Sequence, residues 1–166
     1  MKKHLLIAFV ICALFALFCG LAYAQRATEQ DALRIVEKAG KLIEKKGDEA
    51  LPAICDPNGE FFNREKALYA FVYNENIVVV AHPYLPELIG QCLKGKTDVN
   101  GRKFRDEIVR KALEEGSGWT EYTYQMPCST EGDMAQSSQV MRLKKTYGKL
   151  FRHGHKKYIV CAGTYD

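Results

Sequence analysis

The chain has 166 residues, of which 24 are basic and 20 acidic, and its formal net charge is +4. This length fits one compact domain with a hydrophobic core and leaves no room for a second domain of ordinary size. Because the charges nearly balance and no cluster of Lys and Arg is interleaved with aromatic residues, the composition argues against a nucleic-acid-binding protein.

The first residues predict an exported protein. A pair of lysines precedes an apolar stretch, Leu5 to Leu21, and Ala22-Tyr23-Ala24 has the small-x-small pattern of a signal-peptidase site. We therefore expect a secretory signal at residues 1–24, cleaved after Ala24, and a single periplasmic or secreted domain at residues 25–166. An uncleaved anchor is the alternative, because the apolar stretch approaches the roughly 20 residues that span a bilayer.

The predicted mature chain keeps four cysteines: Cys55, Cys92, Cys128 and Cys161. In an exported protein they permit two disulfides in any of three pairings, and the sequence does not choose among these pairings. Free buried thiols are the alternative. No Cys-x-x-Cys motif occurs, which argues against a thioredoxin-like redox site or a zinc knuckle, and we expect no cofactor.

The first elements of the mature chain are a helix and a hairpin. Apolar residues recur at helical spacing from Thr28 to Lys46, and Gly47 ends the pattern. An irregular segment at 48–64 follows. The aromatic strand pattern of Ala67 to Tyr73 and the apolar run of Ile77 to Ala81 are joined by three residues rich in Asn, which indicates a hairpin.

A polar insert comes next, and it predicts two short helices, Pro86 to Leu93 and Phe104 to Glu115. The segment Asp98 to Gly101 joins them. This segment lacks the third alternating ligand and the distal Glu of an EF-hand, so we expect a turn and no metal site.

Three further strands complete the pattern, at Gly118 to Tyr124, Val140 to Phe151 and Lys157 to Tyr165. The predicted fold is α+β: a five-stranded antiparallel sheet with a long N-terminal helix and a helical insert between strands 2 and 3. In the first strand, Tyr69, Phe71 and Tyr73 share one face by alternation, so the insert could close over an aromatic surface.

Several short motifs occur in one order along the chain. They are Tyr69-Ala70-Phe71-Val72-Tyr73, Ala81-His82-Pro83, Leu88-Ile89-Gly90, Asp98-Val99-Asn100-Gly101, Gly116-Ser117-Gly118-Trp119-Thr120-Glu121-Tyr122, Lys144-Lys145-Thr146-Tyr147 and Ala162-Gly163-Thr164-Tyr165-Asp166. Together they resemble the single Cache domains of the second type, which are extracytoplasmic small-molecule sensors with a PAS-like fold. The resemblance covers about Thr28 to Asp166.

This resemblance implies a binding protein for a short organic acid such as acetate, lactate or propionate. Most relatives belong to chemoreceptors or kinases, whereas the chain stops at Asp166, so we expect a free-standing binder without its own output module. Its partner would be a membrane receptor or transporter. A structural or partner-interaction protein that has filled the pocket with side chains is the alternative.

A buried carboxylate needs charge-assisted hydrogen bonds, which Lys144 can supply, and the tyrosines and His82 add further donors. Trp119 and Phe71 would enclose a short alkyl tail. The predicted ligand-binding residues are Tyr69, Phe71, His82, Trp119, Tyr122, Tyr124, Lys144 and Tyr147. For any single tyrosine the alternative is an ordinary core position, and for His82 it is a ring that simply bonds the backbone. No nucleophile elbow, His-Glu-x-x-His motif or phosphate loop occurs, so we expect no enzymatic activity.

Overall fold

The structure is a computed structural model that describes residues 26–127 and 140–166. The predicted signal at 1–24 and Cys128 lie outside these residues. The helices are α1 (Glu29–Lys46), α2 (Leu51–Cys55) and α3 (Phe104–Glu115), with 3-10 turns at Gly47–Ala50 and Pro86–Leu88. The strands are β1 (Phe62–Asn63), β2 (Leu68–Asn74), β3 (Val79–Ala81), β4 (Ser117–Gln125), β5 (Met141–His153) and β6 (Lys156–Tyr165).

All the strands pair in one antiparallel sheet, in the order β1-β2-β6-β5-β4, with β3 also paired to β2. The α+β, PAS-like architecture predicted from the sequence is confirmed, but the described residues form a sheet of six strands and not five. The additional strand, β1, has two residues, and so short a segment carries no alternation that a sequence pattern can reveal.

The insert holds one helix where two were predicted. The segment predicted as a helix from Pro86 to Leu93 forms only a three-residue 3-10 turn. After it, Gly90 adopts a φ of +85° and its amide bonds the carbonyl of Val79, so the chain runs extended beside β3. A glycine in the left-handed region ends a helical turn, which explains the difference. Among residues 26–127 and 140–166, no helix is long and apolar enough to cross a membrane.

Helix α1 covers one face of the sheet. Thr28 begins it with a capping box: its hydroxyl accepts from the amide of Asp31, whose carboxylate accepts from the amide of Thr28. The buried side of the helix carries Ala32, Val36, Ala39 and Ile43, which pack against β2, β5 and β6. This apolar contact stabilises the α1 side of the sheet.

Strand β2 is buried on both faces, and its alternation divides the core in two. Leu68, Ala70 and Val72 point toward α1, whereas Tyr69, Phe71 and Tyr73 point toward the insert and α3. The aromatic face predicted from the sequence therefore lies beneath the insert.

The cysteines lie in three different parts of the fold. Cys55 packs at the end of α2 on the α1 side, Cys92 is exposed in the insert, and Cys161 is buried on the opposite face of β6. All three are free thiols, and no disulfide joins two of these described cysteines. The sheet itself separates Cys55 from Cys161, which explains why those two cannot pair.

Gly40 gives a stability test of the contact between α1 and β5. A methyl group at this position would overlap the buried ring of Phe151. We expect Gly40→Ala to destabilise the domain by about 1–3 kcal/mol through overpacking, although helix propensity alone favours Ala by about 1 kcal/mol. Urea denaturation would measure the change. Lys41→Ala, on the exposed side of the same turn, should alter stability by less than about 0.5 kcal/mol. An increase in stability for Gly40→Ala would contradict the packing.

Candidate ligand-binding site

The register of the strands places three candidate site residues in one row across the sheet. Lys144 on β5 is paired with Tyr122 on β4 and with Tyr165 on β6. Residues paired across an antiparallel sheet point to the same face, so all three side chains point toward the insert. Tyr69 of the neighbouring strand β2 lies on this face as well.

Lys144 is a buried cation among aromatic rings. Its side chain is only 1% exposed, and Nζ donates a hydrogen bond of 2.7 Å to the hydroxyl of Tyr69. Nζ also lies 4.2 Å from the ring centre of Tyr69, 4.7 Å from that of Tyr165 and 5.2 Å from that of Phe71. Ring faces stabilise a cation only in part, and burial lowers the pKa of Lys144 to about 7.

A line of hydrogen bonds begins at Lys144. The hydroxyl of Tyr69 lies 3.2 Å from that of Tyr165, and Tyr165 donates to the main-chain carbonyl of Gln125 at 3.0 Å. Burial raises the pKa of both phenols well above the ordinary value, so both stay protonated.

Arg105, in the first turn of α3, is a second buried cation. Its side chain is 8% exposed, and its guanidinium carbon lies 4.1 Å from the ring centre of Phe104 and 5.7 Å from that of Tyr124. Within the described parts of the chain, its buried Nε–H group has no hydrogen-bond partner. Buried donors are normally paired, so this group is a vacant donor at the site.

Acidic groups do not balance these two cations within residues 26–127 and 140–166. The buried polar side chains there are His82, Arg105, Thr120, Lys144 and Thr146, and none is Asp or Glu. Neither cation forms an ion pair with a described residue. Buried charges are ordinarily paired, because their desolvation is costly.

His82 forms one wall of the site as a neutral ring. Its Nδ1 accepts hydrogen bonds from the amides of Tyr84 at 3.3 Å and Leu85 at 2.9 Å, so a neutral ring carries its proton on Nε2. Burial, followed by the nearby Lys144 and Arg105, lowers its pKa to about 3. The backbone bond that the sequence left as an alternative is therefore present, and Nε2–H remains as a donor.

Tyr122 and Tyr124 line the β4 side of the cluster. The ring of Tyr122 stacks on that of Phe104 at 3.8 Å, and its hydroxyl shares a hydrogen bond of 2.9 Å with Thr146. Tyr124 lies 5.6 Å from the Nζ of Lys144, measured to the ring centre. Six of the predicted site residues therefore come together: Tyr69, Phe71, His82, Tyr122, Tyr124 and Lys144.

Trp119 and Tyr147 lie on the other face of the sheet. Their ring centres are 5.2 Å apart, and both rings pack against the core beneath α1. The structure does not bring them together with Lys144.

The sequence reasoning missed Arg105 and Tyr165. Tyr165 belongs to the closing strand, and its pairing with Lys144 follows from register once the final hairpin is placed. Arg105 gave no signal, because an arginine near the start of a helix ordinarily extends into solvent. No group of three or more His, Cys, Asp or Glu side chains in the described parts of the chain could hold a metal ion.

The profile of the Single Cache domain 2 family matches residues 25–145 of the chain. The chain belongs to this family. Cache domains are extracytoplasmic sensor domains that bind small molecules and are not catalytic as a family. This Cache domain is related to the periplasmic ligand-binding domains of chemoreceptors.

Solved structures of similar fold include three sensor domains. The periplasmic sensor domain of a chemotaxis protein has 26% identity and a TM-score of 0.59, with 82% of this chain and 88% of that chain covered. A Cache chemosensory domain studied for carboxylic acid recognition has 20% identity and a TM-score of 0.62, with 84% and 99% covered. A methyl-accepting chemotaxis protein from Vibrio parahaemolyticus has 14% identity and a TM-score of 0.62, with 82% and 87% covered. No curated protein matches the chain.

The buried Lys144 of this Cache domain predicts a pH-dependent stability. Folding lowers its pKa to about 7, so between pH 7 and about 10 the unfolded chain binds more protons than the folded domain. The free energy of unfolding should rise with pH in this window, by up to about 1.4 kcal/mol per pH unit from this group. Lys144→Met should therefore be more stable than the wild type at pH 7 and below, and this advantage should shrink toward pH 10.

Denaturation in urea at a series of pH values would measure this difference. Lys145→Met is the matched control, because Lys145 lies partly exposed on the opposite face beside Glu29. Its pH profile should run parallel to that of the wild type. A parallel profile for Lys144→Met would show that Lys144 does not pay a desolvation cost in the folded domain.

Proposed function

We propose that the chain is an extracytoplasmic binding domain for a short organic acid, with the acid held by Lys144 and Arg105. The observation that carries this proposal is the pair of buried cations without a buried acidic partner among the described residues. An anionic ligand would supply the missing charge. The Cache domain studied for carboxylic acid recognition has the same fold, which supports this ligand class.

Hydrogen bonding at the site favours a carboxylate. A carboxylate accepts from several donors at once, and Arg105 offers the vacant Nε–H while Lys144 uses one bond on Tyr69. The Nε2–H of His82 is a further donor from the neighbouring wall. In a site that excludes water, such charge-assisted bonds offset the desolvation of the ligand.

The aromatic rings would contact the apolar part of the acid. Phe71 stacks beside His82 with ring centres 5.5 Å apart, and Tyr69 lies 5.1 Å from the same imidazole. Acetate, lactate and propionate have apolar parts small enough to pack against these rings, and they are the first candidates for the ligand. A membrane receptor or transporter is the proposed partner, by analogy with the chemotaxis relatives.

The alternative of a filled pocket has one observation in its favour. The rings of Phe104 and Tyr122 stack at 3.8 Å, so part of the space between sheet and insert is filled by side chains. A domain of this kind would keep the fold and act through a partner protein. Direct titration distinguishes the two functions.

The test is calorimetric titration of residues 25–166 with a panel of carboxylic acids of two to four carbons. We expect at least one acid to bind and to raise the melting temperature. Lys144→Met should weaken its binding by at least about 1.5 kcal/mol, the scale of a charge-assisted hydrogen bond. Lys145→Met and Trp119→Leu, both on the α1 face, should bind as the wild type does. An absence of heat and of thermal shift with every acid would favour the filled pocket.

Export is part of this proposal, with residues 1–24 as a secretory signal. Expression of the full sequence in a Gram-negative host should give a periplasmic protein whose first residue is Gln25, as measured by intact mass. Ala24→Lys should block cleavage, because signal peptidase requires a small residue there. Recovery of the uncleaved wild-type chain in the membrane fraction would instead support the anchor alternative.

A further inference from the structure

We infer that the preferred ligand is a dicarboxylate, with one carboxylate at Lys144 and the other at Arg105. This inference rests on the proposed function and names the ligand class within it. Acetate, lactate and propionate each carry one negative charge, whereas the site presents two cationic side chains.

The two cations come from opposite walls of the site. Lys144 belongs to β5 in the sheet, and Arg105 belongs to α3 in the insert. Lys144 lies over the rings of Tyr69, Phe71 and Tyr165, and Arg105 lies over the ring of Phe104. The ring they share is that of Tyr124, whose centre is 5.6 Å from Nζ and 5.7 Å from the guanidinium carbon.

This arrangement matches a ligand with an anionic group at each end. A single carboxylate can accept hydrogen bonds from both side chains, because each of its oxygens has two lone pairs, but it carries only one negative charge. Beside two cations, one positive charge would therefore stay unbalanced, because the hydroxyl of Tyr69 that Lys144 contacts is neutral. A second carboxylate on the same molecule removes this imbalance, and because both cations lie within 6 Å of the ring centre of Tyr124, short dicarboxylates are the first candidates.

The described residues place no buried negative charge near the two cations, which also argues against a zwitterionic ligand such as an amino acid. The ionisable groups that face the cations are His82, Cys161 and tyrosines of β2, β4 and β6, and burial favours the uncharged form of each. The nearby acid is Glu87 of the insert, which is exposed. An amino acid would bring an ammonium group to a place where the described residues offer no buried carboxylate.

The experiment compares acids that differ only by one carboxylate: propionate with malonate, and butyrate with succinate. Calorimetry on residues 25–166 at neutral pH and physiological salt should give at least tenfold tighter binding for one dicarboxylate than for its matched monocarboxylate. Arg105→Gln and Lys144→Met should each reduce this ratio to near one, because either variant leaves a single cation. Arg102→Gln, an exposed arginine paired with Glu107, should keep the wild-type ratio.

The other outcomes of this experiment distinguish a failure of the dicarboxylate inference from a failure of the proposed function. If propionate and butyrate bind as tightly as malonate and succinate, the dicarboxylate inference is overturned and the proposed function stands. If no acid of either class binds, the proposed function fails and the inference fails with it. Glu131 and Asp133 lie outside the described residues, and a double variant to Gln and Asn should keep the selectivity for dicarboxylates. Selectivity that appears only in this double variant would show that the protein supplies the balancing charge itself, against the inference.

Circular dichroism and thermal melting establish that each variant is folded before its affinities are compared. If Arg105→Gln fails to fold, the Lys144→Met ratio alone decides, since it removes the other cation. A dicarboxylate preference that survives in folded Lys144→Met would overturn the assignment of one carboxylate to Lys144.

Discussion

The burial of the Lys144 charge is the constraint on which the rest of the site depends. A lysine in a central strand normally reaches solvent or an acidic partner, but this one is 1% exposed and donates to a phenol. Four aromatic rings with centres within 6 Å of Nζ replace part of its hydration. The remaining cost appears as a lowered pKa, so the side chain is poised to gain a proton when an anion approaches.

The two faces of the sheet carry different kinds of side chains. On the α1 face, small and aliphatic residues pack against a helix whose start is capped and whose Glu29 and Glu37 pair with Lys145 and Lys149 of β5. On the insert face, the same strands carry phenols and Lys144, while the insert and α3 add the neutral imidazole of His82 and the guanidinium of Arg105, and neither cation forms an ion pair with a described residue. Because β2 and β5 serve both faces, the apolar contact with α1 offsets the electrostatic cost on the other side. The buried cations therefore lower the stability of the domain without a ligand, and the apolar contact with α1 keeps the domain folded.

Sequence patterns predicted most of the helices and strands but only part of the candidate site. Period-two alternation correctly put Tyr69, Phe71 and Tyr73 under the insert, because a strand fixes which face each residue uses. The same rule separates Trp119 from Tyr122, since positions three apart on a regular strand face opposite sides. Trp119 and Tyr122 were both predicted to bind the ligand because both are aromatic, although their spacing already argued against a common face. Arg105 could not be found this way, because its burial depends on how α3 docks on the sheet, which is a tertiary contact with no local pattern.

The hydroxyl protons of Tyr69 and Tyr165 already have partners inside the domain, whereas the two buried cations keep N–H groups without a partner among the described residues. The carbonyl of Gln125 can only accept, so the single hydroxyl proton of Tyr165 is used there. In the contact between the two phenols, Tyr69 must then be the donor, and its own proton is also used. The hydroxyl of Tyr122 shares a hydrogen bond with that of Thr146. Tyr69 and Tyr165 thus orient Lys144 and satisfy each other. Among the described residues, the donors at the site without a partner are the Nε–H of Arg105 and the remaining protons of Lys144, and the neutral ring of His82 carries a further donor on Nε2.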